Sequence, residues 1–428
     1  MTGCRKKILI VGTTADYVEL LDQRFPGEVL FITDPGERSR WSGPCPLPPN
    51  EVLSELHDSD AVLKALLKHL KQYEIGLSGV VSYDCESLTL ASTIAREFSL
   101  PFSDPEAIAN CRSKYLSKKI WREQGVSCPA AELMRSDSDV VHFFREMGGK
   151  AVLKPLSGSG GELVFFSETE EDALSSFRGI QERLKVHVNQ RMYAEKGLCS
   201  GEEDPRKIVV MEEYIAGDEY SCDFILTEGK GNVLRLSKKI VSDNDFFGTI
   251  LGYELPAKLP APWTMEQVEA CLTKAAESLG LRSVIAMADF KFLGEKMFFL
   301  EMTPRLGGDC LPPLVRASSG IDLLKVSLDF AQGRTIMLPE KEQWKRVVGM
   351  RLFAHRRGIL NTLETSCICE DSRVIECHMN RKLGDAIKLP PEDYDLRILG
   401  HVIFEPQLER SLKEQCLELA KKVKVEII

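Results

Sequence analysis

The sequence predicts a protein of mixed α/β and α+β class, with a Rossmann-like N-terminal domain, a central unit built on hairpins, and a C-terminal β-rich subdomain. Three observations carry this. Buried-type strands alternate with helical patterns from Lys7 to Phe98, which implies a parallel sheet covered on both faces. Two hairpin patterns mark the middle, KAVLKPLSGSGGELVFF from Lys150 to Phe166 and ADFKFLGEKMFFLE from Ala288 to Glu301. Short strand patterns recur after Arg346. At 428 residues the chain exceeds one ordinary domain. The expected division is 1–104, 105–345 with a lid over about 127–210, and 346–428.

Taken in order, Lys7 to Val11 is a strand closed by Gly12, and Val29 to Ile32 a second, closed by Asp34-Pro35-Gly36. Ser59 to Tyr73 has helical spacing, with Val62, Leu63, Leu66, Leu67 and Leu70 on one stripe. Gly79 to Ser82 is a further strand and Leu88 to Phe98 a further helix. The turn Gly12-Thr13-Thr14 lacks the GxGxxG pattern of a dinucleotide site, so this domain reads as a support. Glu106 to Gln124 reads as two helical pieces stopped by Gly125, with Lys114 and Lys118 on one face. Tyr193 to Lys207, charged and Gly-containing, reads as a mobile surface loop. In the tail, Gly349 to Glu376 and Arg397 to Glu405 read as short strands, and Gln407 to Lys422 as an amphipathic helix. His355, His378 and His401 stand isolated there and read as structural.

Composition narrows the function classes. A hydrophobic content of 43% suits a chain that buries large cores. The net charge of −9, with Lys and Arg scattered, argues against a nucleic-acid partner. No apolar run is long enough to span a bilayer. The opening MTGCRKKILIVG reads as a strand and turn, not as a signal peptide. The 13 cysteines are dispersed and form no CxxC. They fit reduced thiols in a cytoplasmic protein and argue against structural zinc.

The chemistry concentrates in a few stretches. Ala288 to Leu293 alternates, setting Asp289 and Lys291 on one face and Phe290 and Leu293 near the other. After a turn at Gly294-Glu295-Lys296, the run Met297 to Leu300 ends in Glu301, and Pro304 with two glycines stops the strand. Asp289 and Glu301 are then side by side. Adjacent carboxylates repel unless a cation lies between them, and Mg²⁺ takes one or two carboxylates plus substrate phosphates. The loop Ser157-Gly158-Ser159-Gly160-Gly161 lets backbone N–H groups close over an anion, with Lys154 as a point charge for phosphate. It lacks the GK[ST] and the following helix of a P-loop. Glu212-Glu213-Tyr214-Ile215 links two strands. An extended linker offers a C=O and an N–H two residues apart to an adenine edge, and Glu219 follows at a distance suited to ribose hydroxyls.

Lys114, Lys154 with its Ser/Gly loop, EEYIAGDE, Asp289 and Glu301, in that order, resemble the ATP-grasp superfamily over roughly the whole chain. The resemblance implies an ATP-grasp fold, with ATP and Mg²⁺ as cofactors and Mn²⁺ as a substitute. It implies that Lys114 and Lys154 hold the phosphates and that Ser157, Gly158, Ser159, Gly160 and Gly161 close over them. Glu212, Glu213, Tyr214 and Ile215 would border the adenine, Glu219 would take the ribose, and Asp289 and Glu301 would bind the metal ions. Many members carry Asn two residues after the second metal carboxylate. Thr303 holds that position here, and its hydroxyl is a weaker ligand than an amide carbonyl. Pro304-Arg305-Leu306-Gly307-Gly308 is similar to the corresponding ending in dipeptide-forming amino-acid ligases, which implies that Arg305 steadies the anionic reaction centre. Relatives often have an acid after an aromatic pair, where Gly248, Thr249 and Ile250 follow Phe246-Phe247.

The implied function is an ATP-dependent carboxylate–amine ligase. It would form an amide or peptide-type bond through an acyl phosphate, releasing ADP and phosphate. Its expected partners are small-molecule carboxylates and amines, with neither nucleic acid nor membrane, and a homodimer is within reach. Two readings stand beside it. One is a carboxylase of the biotin-carboxylase type, for which no AMKM-like carrier stretch is present. The other is a non-catalytic nucleotide-binding protein.

Overall fold

The computed structural model describes residues 5–193, 198, 204–243, 245–336 and 343–428. The loop expected from Tyr193 to Lys207 lies mostly outside them.

Four parallel strands open the chain, in the spatial order Glu51–Leu53, Val29–Thr33, Arg5–Val11, Ile75–Val81. Their apolar runs are continuous because both faces are covered. Leu9, Val11, Leu30 and Ile32 pack against helices Ser59–Tyr73 and Leu88–Glu97. Ile8, Ile10, Val29 and Phe31 pack against Ala15–Arg24 and the distant helix Leu323–Ala331. At Gly79 an added Cβ would lie 2.5 Å from the Ala331 carbonyl oxygen, so strand and helix touch backbone to backbone. The edge strand Glu51–Leu53 had no sequence signal, since three residues show no period. Pro105–Arg112 and Lys114–Glu123 are the two expected helical pieces, and Gly125 follows them at φ +66°.

A second, antiparallel sheet has the order Ala131–Met134, Val209–Glu213, Ala151–Pro155, Phe165–Ser167. Helices Asp137–Glu146 and Glu170–Lys185 cover it through Phe143, Phe144, Phe177, Ile180 and Leu184. The first of them begins in a capping box, Ser136 with Asp139.

The central sheet has eight strands, in the order Lys296–Thr303, Val284–Leu293, Glu219–Thr227, Lys230–Val241, Ile250–Leu255, Val347–Phe353, Ile398–Phe404, Val374–Met379. One face of its first strands is apolar. There Cys222, Phe224, Phe290 and Phe299 pack with Trp121 and Ala275 from helices Lys114–Glu123 and Met265–Ser278. Trp121 is fully buried and donates from Nε1 to the Ala275 carbonyl at 3.0 Å. On the hairpin, Phe290 and Phe292 take the core side, whereas Leu293, expected near that side, is 50% exposed at the turn. The last three strands of this sheet come from the C-terminal part of the chain, and Val347–Phe353 pairs directly with Ile250–Leu255.

A three-stranded sheet, Ala386–Ile387, Gly358–Glu364 and Lys424–Ile427, completes the fold with helix Leu412–Ala420. That helix starts later than its sequence pattern predicts. Gln415 holds the preceding turn in a non-helical course, accepting from Gln407 N at 2.8 Å and donating to the Gln407 and Arg410 carbonyls. No helix among the described residues is long and apolar enough to cross a membrane.

Candidate active site

The second face of the central sheet is polar, because alternation sends every other residue there. Ser237 stands opposite Ser221, Ser221 opposite Asp289, and Asp289 opposite Glu301, one row across four strands. The two acids of the hairpin are thus direct cross-strand neighbours, as their spacing predicts. A cleft of about 760 Å³ opens over this row, bounded by the lid sheet, the N-terminal domain and the C-terminal strands.

Lysines neutralise both acids. Lys114 Nζ lies 2.8 Å from Glu301 Oε2. Lys239 Nζ lies 2.6 Å from Asp289 Oδ2 and also binds Glu219. The acids respond in opposite senses. Burial raises Asp289 above the usual carboxylate range, with Glu301 and Glu219 adding to it against Lys239. Burial acts the same way on Glu301, but Lys114, with Lys239 and Lys154, outweighs it and holds Glu301 well below that range. Asp289 Oδ1 is buried and has no hydrogen-bond partner, the state of a carboxylate oxygen that awaits a ligand. Two cross-strand carboxylates with one open oxygen fit a hard cation such as Mg²⁺, which takes one or two carboxylates and fills its remaining positions with water and phosphate oxygens.

Lys154, on strand Ala151–Pro155, points into the same cleft. The Glu212 carboxylate lies 2.5 Å from its Nζ and 3.2 Å from that of Lys118. Glu212 therefore faces the lysines with its side chain. Burial lowers Lys154 to about 8, Lys118 and Lys114 adding to the effect and Glu212 opposing it. The glycines Gly158, Gly160 and Gly161 all have positive φ, between +67° and +149°, so the loop follows a course that residues with a Cβ rarely adopt. Ser159 and the three glycines line the cleft. Ser157 does not: it is buried, and its hydroxyl donates to the Met192 carbonyl at 2.6 Å.

The linker after strand Val209–Glu213 borders the other end. Glu213 bonds through its N–H to the Ala130 carbonyl, Tyr214 packs against Phe166 at 4.6 Å, and the Ile215 carbonyl accepts from Lys291 at 2.9 Å. Phe247 stacks on Phe166 at 5.3 Å, so the lid, the linker and the turn before Gly248 share one aromatic wall. Glu219 lies at the start of the next strand, held by Lys239.

Arg305 is half-buried in the turn after Thr303. Its guanidinium donates to the Leu306 carbonyl at 2.6 Å and, through Nε and Nη2, to Cys85 Sγ at 3.3 and 3.1 Å. The turn is anchored from below. Gly307 N donates to Asp223 Oδ1 at 2.8 Å, and Asp223 Oδ2 meets Arg235 Nε at 2.6 Å, with both side chains fully buried. An added Cβ at Gly307 would lie 2.7 Å from Arg235 Nη2. Thr303 is half-buried opposite Met287, and its carbonyl accepts from Arg305 N at 2.8 Å.

Sequence reading missed Lys239, Asp223, Arg235 and Cys85. For the first three a signal existed. In LRLSKKIV, Arg235, Ser237 and Lys239 fall at every second position of a largely buried strand, and in EYSCDFILT Asp223 is an acid inside a buried run. Cys85 carried none. The reading of His378 and His401 as isolated is corrected: they are cross-strand partners, with ring centroids 5.2 Å apart, on the far wall of the cleft.

Residues 148–313 match the ATP-grasp domain family. An uncharacterized protein of Sinorhizobium fredii, y4rH, is 24% identical over 71% of this chain and 59% of its own length. A D-alanine–D-alanine ligase of Acidovorax ebreus is 26% identical over 55% of this chain and 70% of its own. The match thus spans less than two thirds of the first of these relatives. A crystal structure of an L-amino acid ligase from Bacillus licheniformis superposes with a TM-score of 0.75 at 16% identity, covering 99% of both chains. Residues 148–313 therefore carry an ATP-grasp domain, and the chain as a whole has the fold seen in the L-amino acid ligase structure.

Proposed function

We propose that the chain is an ATP-dependent carboxylate–amine ligase. One observation carries this reading: the cross-strand acids Asp289 and Glu301 share a cleft with Lys114, Lys154 and Arg305. In this reading Lys114 and Lys154 hold the phosphates under the loop Gly158 to Gly161, with Tyr214 and Ile215 along the adenine and Glu219 at the ribose. Asp289 and Glu301 would hold Mg²⁺, which supplies charge neutralisation at the transferred phosphoryl group. A carboxylate attacks the γ-phosphate to give an acyl phosphate and ADP, and an amine then displaces phosphate. The residues' part is positioning and electrostatics, with Arg305 facing the centre where negative charge builds. The substrates are small molecules, and we place the enzyme in the cytoplasm as a candidate homodimer.

The test is hydroxylamine trapping with ATP, Mg²⁺ and a panel of carboxylates. Hydroxamate should form together with an equal amount of ADP. Pyrophosphate without ADP would overturn the acyl-phosphate route.

A further inference from the structure

The loop 82–87 follows strand Ile75–Val81, at the carboxyl end of the parallel sheet, where open α/β sheets hold their ligands. Its side chains bind separate parts of the molecule. The Tyr83 hydroxyl meets Ser327 Oγ on helix Leu323–Ala331 at 2.7 Å. Asp84 Oδ2 accepts from Thr13 N, in the turn after the first strand, at 2.9 Å. Cys85 Sγ accepts twice from the Arg305 guanidinium. Glu86 Oε1 accepts from Asn189 Nδ2 at 3.1 Å, and Ser87 Oγ from Arg191 Nη1 at 2.8 Å, both from the lid.

The lid residues that dock there also border the glycine loop. The Met192 carbonyl accepts from Ser157 Oγ at 2.6 Å, and the Tyr193 hydroxyl donates to Glu162. An added Cβ at Gly158 would lie 3.4 Å from the Tyr193 ring. Arg112 fixes the same segment by donating from Nη2 to the Arg191 carbonyl at 3.2 Å. Cys85, 8% exposed, is buried in the lid's apolar core together with Met192 and Tyr193. Among the described residues no carboxylate pairs with Arg305, whose acceptors are the Leu306 carbonyl and Cys85 Sγ. A guanidinium is a rigid planar fork of donors. With Nε and Nη2 both on one sulfur, its direction is set by where Cys85 sits.

We propose that Cys85 is a positioning residue for the reaction centre: it aims the Arg305 guanidinium, and docking of the lid on Glu86 and Ser87 holds Cys85 in place. Closure of the glycine loop then fixes Arg305 as well, through the segment that carries Met192 and Tyr193. This rests on the ligase reading for the role of Arg305 only; the coupling of the lid to the loop 82–87 is open to a test without substrate.

Cys85→Val keeps the apolar volume and removes the acceptor. It should lower kcat for hydroxamate formation by up to about a hundredfold, the cost of a misplacement of about 1 Å, with KM for ATP unchanged. Cys85→Ser keeps an acceptor and should retain most of the rate. Glu86→Ala combined with Arg191→Met removes both lid contacts and should also lower kcat. In a Cys85→Val background it should add little, because the same link is already broken. Equal losses from the Val and Ser variants, or fully additive effects of the lid and Cys85 substitutions, overturn the proposal. If no carboxylate yields hydroxamate, the ligase reading fails alone, and thiol alkylation decides the coupling. With N-ethylmaleimide, Cys85 should react several-fold faster in the Glu86→Ala, Arg191→Met protein than in wild type, with exposed Cys45 as the unchanged reference. An unchanged Cys85 rate refutes it.

Discussion

Glu301 and Lys154 show how single side chains couple stability to chemistry here. Glu301 serves two roles: it is one of the paired acids, and it balances Lys114, which is buried. Glu301→Gln should lower ADP release by on the order of a hundredfold or more. It should also lower the melting temperature of the nucleotide-free protein, since Lys114 then lacks its counter-charge. An unchanged melting curve with normal turnover would remove Glu301 from both roles. Lys154, lowered to about 8 by burial and its lysine neighbours, is partly neutral at mildly alkaline pH. A bound phosphate favours the charged form and raises that value. ATP affinity should therefore be full below about pH 8 and fall as pH rises through it, with proton uptake on binding. Calorimetry near that pH in buffers of differing ionisation enthalpy measures the uptake. Lys154→Ala should abolish it and weaken ATP far more than adenosine; equal losses would make Lys154 structural.

At the scale of elements, the turn carrying Arg305 is only as well placed as the strands beneath it. Asp223 accepts from Gly307 N and is paired with Arg235 on the neighbouring strand, both side chains being fully buried. Removing one partner of a buried pair typically costs about 3–5 kcal/mol, because the other charge is stranded. Asp223→Ala should show a loss of that size in denaturant unfolding. The pair Asp223→Leu with Arg235→Met should recover most of the stability yet not the hydroxamate rate, since neither side chain can then hold the Arg305 turn. Full recovery of rate would show that the pair is only structural. Trp121 is the comparable anchor on the apolar face, fixing helix Lys114–Glu123 and so Lys114 itself.

At the scale of the whole molecule, the central sheet does not end where the sequence suggests a boundary. Val347–Phe353 adds directly to Ile250–Leu255, and Arg397 crosses back to bind Asp245 at 2.9 Å and Thr249 Oγ1 at 2.7 Å. A fragment ending at residue 345 would expose the edge of Ile250–Leu255 and its apolar neighbours, an aggregation-prone state. It should be insoluble or bind ANS strongly; a monomeric, cooperatively unfolding fragment would show that the last segment is dispensable to the fold.

What the sequence determined by itself was whatever depends on near neighbours. Asp289 and Glu301 are joined by one short turn, so hairpin geometry alone sets them side by side. Lys154 and its glycine loop are one local unit, and the helix Ser59–Tyr73 shows its period directly. Tertiary structure decided the partners that arrive from far along the chain: Lys239 on Asp289, Glu212 between two lysines, Cys85 against Arg305, and His401 beside Glu376. Each depends on which strands become neighbours and in what register, and a one-residue slip would turn every such side chain to the opposite face. Register is fixed by burying Phe224, Phe290 and Phe299 together on the apolar face. The polar row opposite follows from that packing, which no single stretch of the chain contains.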